Sequence, residues 1–240
     1  LEELLERLRS ARRVTVLTGS GISAESGLPT FRGVGGLWRT YRVEELASPA
    51  GFQRDPQLVW TWYNERKAAH TLAQPNAGHL ALVELESRIS DFTLATQNVD
   101  SLHRRAGSKN VLELHGHLRE ARCTHCNTRR PMENGLPLDE IGHDCGGTFR
   151  PDIVWFGEGL DQKIWAAAAD AAARSEVMLV IGTSGMVNPA AALATRFAKE
   201  AYVAEINPEE TAISATCDVV LRKPAAAALP ELVALLSLRP

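Results

Sequence analysis

Six short apolar runs separated by amphipathic stretches, with a glycine-rich turn directly after the first run, predict an α/β protein built as a doubly wound, Rossmann-like parallel sheet. A stretch rich in Cys, Gly and Pro interrupts that alternation between Arg119 and Arg150. It predicts a small zinc-ribbon-like module inserted into the sheet domain. The expected boundaries are residues 1–118 and 151–240 for the nucleotide-type domain, which includes a loop at about 27–55, and 119–150 for the module.

The runs are VTVLT from Val14, FTLAT from Phe92, VLEL from Val111, VMLVIG from Val177, YVAEI from Tyr202 and DVVL from Asp218. Each is short and apolar throughout, as expected for strands buried on both faces. Helical spacing marks residues 56–72, 76–88, 162–174, 189–200 and 225–237, and the N-terminal LEELLERLRSARR mixes acids and bases at the same period. Residues 27–55 are rich in Gly and Pro and read as a long loop with short helices. The inserted module has too thin a core of its own, so a metal staple suits it.

Composition narrows the function. The net charge of -3 over 240 residues offers no basic surface for a nucleic acid, although the cations are mostly Arg and can make local anion contacts. Four cysteines, two in one C-x-x-C knuckle, are too few for a secreted disulfide framework. No run of about 18 apolar residues occurs, so no membrane-spanning helix is expected. The expectation is a soluble cytoplasmic protein. Its oligomeric state is not legible.

The turn TGSGISAESGLPTFRG follows the first strand, and Gly19, Gly21 and Ala24 satisfy G-x-G-x-x-A. The glycines permit a tight turn and a close backbone approach to a pyrophosphate, with a helix N-terminus behind it. A hydride-transfer dehydrogenase would carry an acidic residue about 20 positions further on, at the end of a second strand. FRGVGGLWRT stands there instead. The nucleotide reading therefore survives while the dehydrogenase reading weakens. TQNVD (96–100), GTS (182–184) and INPEE also follow apolar runs, which would place them at the carboxyl edge where such sheets bind ligands.

Together these segments resemble the sirtuins, NAD-dependent protein lysine deacylases. TGSGISAESGLPTFRG, TQNVD, LHGH, the Cys knuckle, RPDIVWFGE, GTSGMVNPA and INPE occur in that family's order and spacing. The resemblance implies an NAD site shaped by Gly19, Ser20, Gly21, Ile22, Ala24, Phe31, Arg32 and Trp38. It adds Gln97 and His115 at the nicotinamide ribose, and Asn98 and Asp100 at the nicotinamide. Gly182, Thr183, Ser184, Asn207 and the backbone at Cys217 would meet phosphates, adenosine ribose and adenine.

His115 is the expected general base, because neutral imidazole accepts a proton near neutral pH without an extreme environment. The nearby His117 has the same ring and no matched role. By the family's mechanism, the acyl-lysine carbonyl oxygen attacks the anomeric carbon of NAD as nicotinamide leaves. The base then frees a ribose hydroxyl to attack the imidate carbon, and water resolves the adduct into free lysine and acyl-ADP-ribose. NAD is consumed. Val154, Phe156, Gly157 and Glu158 would form an extended segment that pairs with substrate backbone.

Tyr63 and Arg66 lie three apart on one predicted helix face. This Y-x-x-R pair resembles that of sirtuins that remove succinyl and malonyl groups, where a guanidinium holds the terminal carboxylate and a phenol donates a further hydrogen bond. Acetyl removal is compatible with it. The alternatives are a protein mono-ADP-ribosyltransferase or a noncatalytic NAD or ADP-ribose binding module.

Related sirtuins carry two C-x-x-C pairs around a structural zinc. Here Cys123, Cys126 and Cys145 are in place, and Gly142 stands where the remaining cysteine would be. His143 and Asp144 are candidates for the fourth ligand, His143 the better one. Any zinc would clamp the module rather than activate substrate.

Overall fold

The computed structural model describes residues 1–31 and 42–237. All six apolar runs lie in one parallel sheet. In chain order its strands are β1 (Arg13–Thr18), β2 (Asp91–Thr96), β3 (Val111–Glu113), β7 (Val177–Ile181), β8 (Tyr202–Ile206) and β9 (Val219–Leu221), and across the sheet they run β3-β2-β1-β7-β8-β9. From β1 the chain first builds outward through β2 and β3, then returns to add β7 on the other side. The reversal between β1 and β7 is the switch point at which such sheets open a crevice.

Side-chain alternation divides the core. Val14, Val16, Leu179 and Ile181 face helices α1 (Glu2–Ser10), α5 (Ala77–Arg88) and α8 (Ala225–Ser237), through Leu4, Leu8, Leu82, Leu85, Leu229 and Leu232. Leu17, Met178 and Val180 face the opposite way, onto Ala168 and Ala172 of α7 (Gln162–Arg174) and onto Leu193 and Ala194. Strand residues on both faces are buried, which is why their sequences read as continuous apolar runs.

Residues 189–200, expected as a helix, form turns and one wide helical turn, Leu193–Phe197. Ala190, Leu193, Ala194 and Ala198 still pack on the sheet. Apolar spacing reported which residues face inward without setting the hydrogen-bond pitch.

A second, antiparallel sheet, ordered β5-β4-β6, comprises β4 (Gly116–Cys123), β5 (Arg129–Pro131) and β6 (Phe149–Ile153). Its core is supplied from elsewhere in the chain. Val59, Trp60, Trp62 and Tyr63 of α4 (Pro56–Leu72) pack against Leu118, Ala121, Met132, Leu136 and Phe149, together with Leu46 of α2 (Val43–Leu46) and Phe52 of α3 (Pro49–Arg54). Trp60 is fully buried and donates its indole N–H to the carbonyl of Phe149 at 2.8 Å. Asp55 caps α4 by accepting from the Leu58 amide at 2.9 Å, and Pro56 follows in the first turn.

At the switch point the chain crosses itself without side chains. The Gly21 amide donates to the carbonyl of Gly182 at 2.8 Å. A Cβ on Gly21 would lie 2.7 Å from the Gly182 Cα, and one on Gly182, whose φ is +59°, would lie 2.4 Å from the Ile22 nitrogen. Both partners there are backbone and cannot swing aside. Gly182→Ala should therefore cost about 2 kcal/mol or more, a fall of roughly 4–8 °C in Tm for a domain of this size. An unchanged melting curve would show that the crossing relaxes.

Candidate functional site

The sheet positions a cleft of about 570 Å³ at the carboxyl ends of β1, β2, β7 and β8, roofed on one side by α4 and the turn after β6. Gly19, Ser20, Gly21, Ala24 and Phe31 line it from the segment after β1, Gln97 and Asn98 from the end of β2, and His115 from the turn after β3. Gly182, Thr183 and Ser184 follow β7, and Asn207 follows β8. Tyr63, Arg66, Val154 and Phe156 also stand on its wall.

The strand ends are tied to one another. The Gln97 side chain donates to Thr183 Oγ1 at 2.9 Å, Asn98 Nδ2 to the Gly19 carbonyl at 3.0 Å, and Asn207 Nδ2 to the Thr183 carbonyl at 3.0 Å. The rim is thereby held as a unit. The segment after β1 is a tight 3-10 turn, Ser20–Ser26, in place of the expected α-helix start. Gly21 also spends its N–H on Gly182, so the glycines serve chain crossing before any pyrophosphate contact.

Asp100 is buried, and accepts from Ser23 Oγ at 2.8 Å and from the Leu102 amide at 2.9 Å. Burial raises its carboxyl above the usual range, and those two donors partly offset the shift. Ser23 also receives a hydrogen bond from Asn98 Nδ2 at 3.3 Å, linking the two motifs. Sequence reasoning passed over Ser23, although a buried hydroxyl inside the glycine turn needs partners and so signals a network. Ile22, Asp100, Gly157, Glu158 and Cys217 lie off the cleft wall. Ile22 belongs to the sheet core, and Cys217 packs beside Ile213 with its thiol pushed up to about 11 by burial. Arg32 and Trp38 lie outside the described residues.

His115 Nδ1 is 3.1 Å from the Gln97 carbonyl oxygen, an acceptor only, so this nitrogen carries the proton and Nε2 keeps its lone pair. Burial pulls the imidazole below its ordinary 6.5, and the Gln97 bond offsets part of that. The neutral form therefore persists to lower pH than for a free histidine. His117 lies on β4 and pairs loosely with Glu120, at 3.9 Å, away from the cleft wall.

On α4 the Arg66 guanidinium lies 4.8 Å from the ring centres of both Phe31 and Trp62. Its Nε is buried with no hydrogen-bond partner, and among the described residues it joins no ion pair within 4.0 Å. Trp62 was missed from the sequence, yet it stands one helical turn before Arg66, where an aromatic can stack on a guanidinium. Tyr63 is 3 % exposed, and its hydroxyl accepts from the indole N–H of Trp155 at 3.0 Å.

The segment 154–158, expected as extended, is a turn. Gly157 at φ +88° lets the chain fold back, and the Glu158 carboxylate binds both ends of Arg150, at 2.5 and 2.7 Å, and the Trp155 amide at 2.8 Å. Glu158 is thus spent internally, whereas Phe156 is 41 % exposed.

In the small sheet, Cys123, Cys126, His143 and Cys145 place one donor atom each within 4.8 Å of one another. His143 Nδ1 is 3.0 Å from Cys145 Sγ and 3.6 Å from Cys126 Sγ, and the sulfurs of Cys123 and Cys145 are 3.5 Å apart. Tetrahedral zinc with Zn–S bonds of about 2.3 Å separates its ligand atoms by about 3.8 Å, so the set fits. His143, rather than the exposed Asp144, joins the thiolates. Three sulfurs and an imidazole leave no open position, as in a structural site. The Phe149 ring packs edge-on to His143 at 5.0 Å and orients it.

The fold and the cleft thus define a Rossmann-like protein with a hydrogen-bonded polar rim, a neutral histidine and an aromatic-stacked guanidinium around one crevice. The Sir2 family model matches residues 19–189, and the chain belongs to that family. It is 51 % identical over 232 residues to NAD-dependent protein deacylase 2 of Pyrobaculum aerophilum, covering 94 % of this chain and 92 % of that one. It is 47 % identical to the NAD-dependent protein deacylase of Aquifex aeolicus, covering 91 % and 92 %. A Sir2 homologue solved with NAD superposes with a TM-score of 0.92 at 44 % identity, covering 98 % of this chain and 93 % of the other. Another Sir2 structure, holding a deacetylated p53 peptide and acetyl ADP-ribose, superposes at 0.90 with 30 % identity, covering 98 % and 97 %.

Two measurements check this geometry. Metal analysis should find about one zinc per chain, and His143→Ala should lower both zinc retention and Tm; zinc-free protein with an unaltered Tm would contradict the clamp. In an NMR titration the His115 ring should protonate below 6.5; a midpoint at or above that value would contradict the burial effect.

Proposed function

We propose that this chain is an NAD-dependent protein-lysine deacylase that favours succinyl and malonyl over acetyl groups. The observation that carries the acyl preference is Arg66. A guanidinium stacked between Phe31 and Trp62 stands on the cleft wall three residues from a phenol; among the described residues it makes no ion pair within 4.0 Å, and the buried Asp100 acts on its charge only from beyond that distance. Leaving a charge partly buried and unpaired is costly unless a ligand completes it. A terminal carboxylate on the acyl chain supplies that partner bidentately, and a neutral acetyl group does not.

NAD is the co-substrate in this reading. It supplies the electrophilic anomeric carbon and the ADP-ribose acceptor of the acyl group. The chain's own residues bind and orient it along the tied rim of Gly19, Asn98, Thr183 and Asn207. His115 Nε2 takes a ribose hydroxyl proton, and its Nδ1–H bond to Gln97 holds the tautomer that leaves Nε2 free. Substrate backbone lies against Val154 and Phe156, whose own amides already donate to the carbonyls of His115 and Ala47 and so hold the segment in place.

The sign of the pH dependence follows. His115 works as a base only when neutral, and its pKa is lowered, so activity is retained below 6.5 and lost only as pH falls through the lowered value.

The test is the acyl-chain comparison on peptides differing only in the acyl group. Arg66→Met should reduce kcat/KM for the succinyl peptide roughly 100-fold and for the acetyl peptide only a few-fold, the difference reflecting one charge-assisted pair. Equal losses on the two peptides would overturn the acyl preference. Mass spectrometry should find free lysine with acyl-ADP-ribose; a protein gaining ADP-ribose would instead mark a transferase, and no nicotinamide release would mark a binding module.

A further inference from the structure

We infer that Trp155 is a positioning residue for acyl selectivity, acting by setting which way the Tyr63 hydroxyl hydrogen points. The inference rests on the acidic-acyl reading above. An indole N–H can only donate, so in the 3.0 Å contact with Trp155 Nε1 the Tyr63 oxygen must be the acceptor. The phenol hydrogen is then turned away from the indole. Among the described residues it has no acceptor, while Tyr63 lines the cleft beside Arg66. A hydroxyl that already receives one hydrogen bond is also a better donor of its own.

Burial reinforces the arrangement. Tyr63 is 3 % exposed, and desolvation raises the phenol pKa so that the hydrogen stays in place across the working range. The result is one fixed O–H donor beside a guanidinium that makes no ion pair within 4.0 Å among the described residues. That pair matches the acceptor-only chemistry of a carboxylate and has no match in a methyl group.

Trp155 is itself held on three sides. The Arg150 guanidinium carbon sits 3.6 Å from its ring centre, the Glu158 carboxylate accepts its backbone N–H at 2.8 Å, and Phe52 packs 5.2 Å away, ring centre to ring centre. Arg150 and Glu158 bind each other through two contacts, so the indole is clamped between a guanidinium and the turn that returns Glu158 to it. Trp155→Phe keeps an aromatic ring there but removes the N–H together with part of the indole, so the comparison with and without the Tyr63 hydroxyl is what isolates the hydrogen bond.

The experiment measures succinyl and acetyl peptides side by side on wild type, Trp155→Phe, Tyr63→Phe, the double variant and Arg66→Met. Trp155→Phe should lower the ratio of succinyl to acetyl kcat/KM by roughly tenfold, the scale of one hydrogen bond to a charged group, mainly through KM for the succinyl peptide. The ratio is independent of the fraction of folded enzyme. In the Tyr63→Phe background the same substitution should change the ratio less than about twofold, because the route through the hydroxyl is already gone.

A ratio left within about twofold of wild type by Trp155→Phe, while Arg66→Met collapses it, would overturn the role of Trp155 and leave the acidic-acyl reading standing. An equal effect of Trp155→Phe with and without the Tyr63 hydroxyl would also overturn it. A ratio unmoved by Arg66→Met would remove the reading underneath.

Discussion

The contact between Gly21 and Gly182, backbone on backbone with no room for a methyl group, is the constraint on which the cleft depends. It brings the loops after β1 and β7 together at the point where the sheet reverses its order. Once they touch, short polar side chains can span the strand ends: Gln97 reaches Thr183, Asn98 reaches Gly19 and Asn207 reaches Thr183. Each of these bonds needs its neighbours within about 3 Å, a distance a side chain at the crossing would forbid. The rim is therefore organised before any ligand arrives, which reduces the ordering cost of binding.

The small sheet depends on a different economy of parts. Its strands carry Leu118, Ala121, Phe149 and Ile153, too few to close a core, and α4 supplies much of the rest through Val59, Trp60, Trp62 and Tyr63. One helix thus fills the module with part of its surface and presents Arg66 and the edge of Tyr63 to the cleft with another. The cysteine and histidine cluster lies at the far end of the same sheet, where Cys123 ends β4 and a bound zinc would pin it.

Much of this was legible beforehand, for identifiable reasons. Strands buried on both faces leave apolar runs that survive any change of neighbours, and all six expected runs lie in the sheet. The helices at 56–72 and 162–174 have capping aspartates at their starts and begin and end where expected, and residues 225–237 are helical up to the last described residue. Two segments were misread because their pattern is set by distant partners. The resemblance implies an extended segment at residues 154–158, but Arg150 draws Glu158 back and Gly157 permits the turn. Residues 189–200 kept their inward face and lost their regular helix. At the site, motif spacing located His115, Gln97 and Asn98, whereas Ser23, Trp62 and Trp155 depend on who stands opposite them in space. A thiolate cluster completed by an imidazole one place late, at His143, was foreseen as chemistry and settled only by the loop's path.

The hydrogen bond between Trp155 and Tyr63 also bears on how such a site can change over generations. Replacing either partner alone with phenylalanine strands a buried polar group, at a cost of about 1–3 kcal/mol, whereas replacing both strands none and leaves only the space vacated by the smaller ring. Drift through single substitutions is thus obstructed at these positions, and the low-energy route exchanges them together. Two sites 92 positions apart in the chain would then be inherited as a linked pair, and a survey of descendants should find them varying in concert.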